Sequence, residues 1–188
     1  NPKPQTPNPK PQTPNPSECM HIVYMDLDKL ERDTLNWINY VRTHPLSMVK
    51  PLETIFHSLQ DNVYRDPITH QMIEVKEVTA IILGHSVVLE AIDFLQNISP
   101  VKPLINKACL KQSAKEHAVE LGLSGTLTHL SENGETLTDR INKHGVWDVA
   151  VAENISVIDR TPREIIISFI LDDGNNSRCQ RLNLFNEE

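Results

Sequence analysis

Apolar side chains recur at helical spacing through most of the chain beyond residue 26. In 26–43, Leu30, Thr34, Trp37, Ile38 and Val41 fall on one stripe, which predicts a helix. Pro45 ends it, because the residue before a proline is pushed out of the α region. A short helix is expected over 47–59, and the polar stretch 61–69, with Asp66-Pro67, reads as a loop. Thr79 suits the N-cap of a helix running to Gln96, with Ile82, His85, Leu89, Ile92 and Leu95 near one face. His85 in that setting reads as a packed, hydrogen-bonded histidine of the core or its rim.

The next helix spans 106–123 and carries Leu110, Ala114, His117, Ala118 and Leu121 on its buried stripe, with Gly122 and Gly125 ending it. Leu137–His144 is a short helix stopped by Gly145, which suits the left-handed position after a helix end. Thr161-Pro-Arg-Glu164 is a capping box with proline at the first helical position. The helix it starts, Ile165–Leu171, is apolar nearly all round and is expected at the centre of the core. One stretch breaks the helical pattern: Val149–Ile158 is rich in β-branched residues and reads as a strand.

Residues 1–16 follow neither period. They repeat Asn1-Pro-Lys-Pro-Gln-Thr-Pro7 from Asn8 and end in Asn15-Pro16. Proline at nearly every second position fixes φ and removes donors, which favours extended polyproline II. The division is therefore an arm over 1–16 and one domain over 17–188, long enough to bury one core. A spacer, a docking strip and a glycosylated stalk are all consistent with the arm's composition.

Charge and cysteine usage narrow the classes. A net charge of −7 argues against nucleic acid as a partner. No apolar run approaches the ~20 residues that span a bilayer, so no transmembrane segment is expected. Cys19, Cys109 and Cys179 form an odd set, compatible with one disulfide plus a thiol or with three thiols. Nucleophilic catalysis lacks a G-x-S-x-G or any Ser/His/Asp set that spacing assembles, and His117 has no H-E-x-x-H companion. Asn97, Asn154 and Asn175 each begin an N-glycosylation tripeptide, although Pro100 follows the first.

Five short motifs occur in order between residues 108 and 185: Ser113-Ala-Lys-Glu-His-Ala118, Gly125-Thr-Leu-Thr-His129, Asp139-Arg-Ile141, Ala152-Glu-Asn-Ile155 and Ser177–Phe185. This order resembles the CAP superfamily (SCP-like or PR-1-like domains), and most closely its microbial and protist branch. The resemblance implies an α+β fold, an α-β-α sandwich. The family's last two strands would follow the Ser177–Phe185 stretch, so the sheet is expected to be incomplete within this chain, truncated or completed by another chain.

The resemblance also implies a polar cavity lined by two histidines and acids. His129 and Glu153 match the family positions, His117 is a neighbour, and Gln180 falls in the S-R-G-H-R stretch that holds the second histidine. An amide is a poor zinc ligand, so zinc binding through His129 and Glu153 is expected to be weak or absent. Cys179 could ligate as a thiolate, and Asp172 and Asp173 match no family acid. The functional expectation is a non-enzymatic binding domain, docked through its arm as a structural component of a larger assembly, with a protein partner. A secreted sterol- or lipid-binding protein and a metal-dependent hydrolase, with His129, His117 and Glu153 around a metal-bound water, are the alternatives. Family habit and the tripeptides suggest an extracellular, secreted protein; the odd cysteine count suggests an intracellular structural assembly instead.

Overall fold

The computed structural model describes residues 27–60, 63–65, 72–74, 85–157 and 161–187. The 1–16 arm, Cys19, Asp66-Pro67, Thr79 and Ile82 lie outside them. Seven α-helices are described: α1 (Leu27–Thr43), α2 (Val49–Gln60), α3 (His85–Asn97), α4 (Ala108–Ser124), α5 (Leu137–Asn142), α6 (Pro162–Leu171) and α7 (Cys179–Leu184). A 3-10 turn, Pro45–Met48, joins α1 to α2, with proline at its first position.

The core forms where five of these helices present their apolar stripes to one another. Val41 of α1, Leu52 of α2, Val88, Ala91 and Leu95 of α3, and Ile166 and Ile170 of α6 are fully buried together, with Leu184 and Phe185 closing one end. The start of α6 is set locally: Thr161 Oγ1 accepts from Glu164 N, while the Glu164 carboxylate accepts from Thr161 N at 2.8 Å. Its stop is set by Asp172, left-handed at φ 46°. The last carbonyls of α6 have no partner within the helix. The side chain of Arg181 supplies one, donating from Nε to Ile170 O and from Nη2 to Leu171 O. Burial lowers the Arg181 pKa, and Glu90 opposes that with a 2.8 Å ion pair. Arg42 works in the same way at the far end of α1, donating to the carbonyls of Lys102, Leu184 and Asn186.

The α-β-α sandwich is not what forms. The molecule is helical, and the pairing among the described residues is a hairpin of two three-residue strands, Val63–Arg65 (β1) and Met72–Glu74 (β2). They are antiparallel, with Tyr64 opposite Ile73, and β1 lies inside the 61–69 stretch expected to be a loop. Such a hairpin is no sheet layer. Val149–Ile158, expected as a strand, carries no strand assignment over its described residues. Side-chain hydrogen bonds from neighbouring elements take the place of a ladder there.

Three local expectations change as well. α4 buries only a narrow stripe, Ser113, His117 and Leu121, because α5 is its main helical neighbour; Leu110, Ala114 and Ala118 are exposed. His85 is exposed at the start of α3, with its ring edge-on to Phe56. Gly125 does take the left-handed position after α4, at φ 67°, but Gly145 does not follow α5 in that way. Gly145 instead lets the chain approach α4, where an added Cβ would stand 3.0 Å from Cys109 Cβ.

Candidate functional site

The buried stripe of α4 aims His117 at the turn that follows the helix. Its Nε2 donates to Thr128 O at 2.9 Å, and its Nδ1 faces Glu120 Oε2 at 2.9 Å. Both ring nitrogens therefore meet oxygen atoms of the fold. Glu120 also accepts from Glu132 N at 2.6 Å. That backbone bond, followed by those from His117 and Ser131, pulls the Glu120 pKa down to about 2. His117 and Glu120 thus pin the 125–132 turn to α4.

The turn in turn presents His129. Its Nδ1 lies 2.9 Å from Glu153 Oε1, and Glu153 also receives Arg140 Nη2 on both oxygens, at 2.9 and 2.8 Å. Arg140 is buried on α5, and its Nη1 donates to His129 O at 2.9 Å. The capping box of Thr136 and Asp139 starts α5 and fixes the turn on which Arg140 stands. His129 itself has a side chain 61% exposed, so it sits at the rim of the ion pair rather than inside it.

In the 152–155 segment successive side chains leave on opposite sides. Glu153 faces Arg140, while Asn154 donates to Gln180 O at 2.8 Å and accepts from Asn183 Nδ2 at 3.0 Å. Gln180 accepts from Ile155 N at 3.2 Å through Oε1 and donates to Asp172 Oδ1 at 3.2 Å through Nε2. The buried Asp172 carboxylate also accepts from the Gln180 and Asn175 nitrogens. Gln180 is therefore a latch between the extended segment and the end of α6. It does not join His129 and Glu153 through any hydrogen bond among the described residues.

The donor set does not fit a metal ion. A divalent cation at Glu153 would stand against the Arg140 guanidinium, which already holds both carboxylate oxygens. Among the described residues no group of three or more His, Cys, Asp or Glu side chains is disposed to hold one. Cys179 is occupied differently, accepting from Asn175 Nδ2 at 2.8 Å, and neither it nor Cys109 forms a disulfide there. The neighbouring cavity, lined by Glu120, Leu121, Thr126, Thr128 and Ser131 among others, holds about 130 Å³. Pockets for drug-sized ligands start near 300 Å³, so this cavity is too small for a sterol. The amide nitrogens of Asn97, Asn154 and Asn175, where a glycan would attach, each donate within the fold.

Arg140, Glu120 and Asp172 organise this region and stand outside the candidates named from sequence. Asp139-Arg-Ile141 carried a signal for Arg140; no spacing rule marks Glu120 or Asp172 as acceptors of distant backbone groups. No helix among the described residues is long and apolar enough to cross a membrane. No family model, curated protein or solved structure matches the chain.

Proposed function

We propose that this chain is a non-enzymatic binding domain that acts by holding a protein partner in a larger assembly. The observation that carries this reading is the commitment of the candidate site to itself. Both oxygens of Glu153 are held by Arg140, His117 is tied at both nitrogens, and Gln180 spends its amide on the backbone and on Asp172. A general base or a metal ligand needs a lone pair directed at the reacting group; Glu153, His117 and Gln180 direct theirs inward, and His129 stands at the exposed rim, tied to Glu153 through Nδ1. The reading therefore calls for no metal or other cofactor.

The surface beside the network has the opposite character. The loop after α5 leaves Val146 95% and Val149 73% exposed, with Trp147 between them. Aromatic and aliphatic side chains grouped in this way mark interaction sites more often than scattered single residues do. The test places a photo-crosslinking amino acid at Val146 in the full chain, in extract from the native source. The expected product is a protein adduct that Val149→Asp removes and His129→Ala leaves intact. Ester or peptide hydrolysis by the chain that His129→Ala abolishes, or an adduct to lipid alone, would contradict the reading.

A further inference from the structure

A shallow groove of about 480 Å³ runs between the end of α3 and the end of α7, lined by Phe94, Ile98, Leu182, Asn183, Phe185 and Glu187 together with Asn186. Its floor is aromatic: Phe94 and Phe185 meet edge to face with centroids 5.5 Å apart, and Arg181 braces the Phe94 ring from 5.5 Å. Leu182 stands 54% exposed at its rim. Glu187 is exposed and gives the rim negative charge.

We propose that this groove seats the proline-rich Asn1–Pro16 arm of the same chain. Three features of that arm match it. Polyproline II segments dock in grooves lined by aromatic rings, because pyrrolidine faces pack on them and little further chain must be ordered. At three residues per turn, Pro4, Pro7 and Lys10 lie along one edge of such a helix, which brings two prolines to the Phe floor and one lysine to the acidic rim. Charge is complementary: the arm carries Lys3 and Lys10 and no acid, so all 25 acidic residues lie in the rest of the chain.

Reach favours the chain's own groove. Arg42, one residue before the end of α1, donates to Leu184 O and Asn186 O, so α1 ends beside the groove. The seventeen-residue α1 is about 25 Å long, which is the distance to be recovered from its start at Leu27. The chain between Lys10 and Leu27 can span roughly 55 Å when extended, more than enough.

The proposal is independent of the protein-partner reading and is tested on the full chain alone. In amide NMR spectra, Lys3→Glu with Lys10→Glu changes only the arm, so the fold is left intact. The expected result is a shift of the Ile98, Asn183, Asn186 and Glu187 resonances that does not depend on protein concentration. The exposed Leu182→Asp should reciprocally shift the amides of Gln5, Thr6 and Lys10. Changes confined to residues 1–26, or shifts that fade on dilution as seating on a second copy would produce, overturn it.

Discussion

Two regions of this molecule are held together by different physics. α1, α2, α3, α6 and α7 share one continuous apolar interior, whereas α4 and α5 contribute nothing to it. The second region, 108–157, is joined by ion pairs and hydrogen bonds: His117 with Glu120, His144 with Glu116, Lys143 with Glu135, and Arg140 with Glu153. Apolar burial is non-directional and tolerates small shifts, while a buried ion pair requires its partner and its geometry. The lesson is that the candidate site is also the fastening of the second region.

The comparison breaks most visibly in the core. Ile170→Ala, at a side chain with no exposed surface, should cost about 2–5 kcal/mol and weaken the whole fold, as read by denaturant unfolding. A loss under about 1 kcal/mol would mean that α6 is not central.

Arg140→Ala comes next. It strands the mostly buried Glu153 carboxylate and should cost about 3 kcal/mol. Here the loss should be local, releasing the 126–132 turn and the 152–155 segment. Circular dichroism that falls throughout, rather than in part, would count against a separate second region.

Acid sharpens the contrast further. Glu116, Glu120, Glu135 and Asp139 all titrate below the ordinary carboxylate range, each mainly because it accepts a hydrogen bond, and all belong to the second region. A folded pKa lowered in this way stabilises the fold above the unfolded pKa, and the benefit drains as pH falls toward the folded one. For Glu120 that window closes at about 2. In the first region Glu90 behaves likewise, held down first by the Arg178 hydrogen bond, but it sits outside the apolar interior. Acid titration followed by fluorescence of Trp147 and Trp37 should therefore report loosening at Trp147 first; a single coincident transition would refute the order.

The smallest effect is expected at His129. Its side chain is largely exposed, so His129→Ala should cost at most about 1 kcal/mol and leave Arg140 on Glu153. A larger loss would make His129 a central strut instead.

Much of the first region was legible in the sequence. The stripe of Trp37, Ile38 and Val41, the capping box at Thr161 and the apolar run after it all lie where local pattern puts them, because they arise from bonds within one turn or from period 3.6. The second region was less legible for a stated reason. Val149–Ile158 has the composition of a strand, but its 154–155 portion is bonded by Gln180, some 25 residues away, rather than by a neighbouring strand. Arg42 and Arg181 find acceptors 142 and 91 residues distant, and no short-range pattern encodes such pairs. The expected cavity brought His129 and Glu153 together, and Asp139-Arg-Ile141 marked Arg140 without the pairing by which it holds both Glu153 oxygens.

The most direct test of the two-region account is residue-resolved hydrogen exchange on the wild type and on Arg140→Ala. Local opening free energies differ between cooperative units of one fold. The account predicts a loss of protection across α4 and α5 in the variant, with α2, α3 and α6 unchanged. Equal loss in all five helices, or none in α4 and α5, would contradict it.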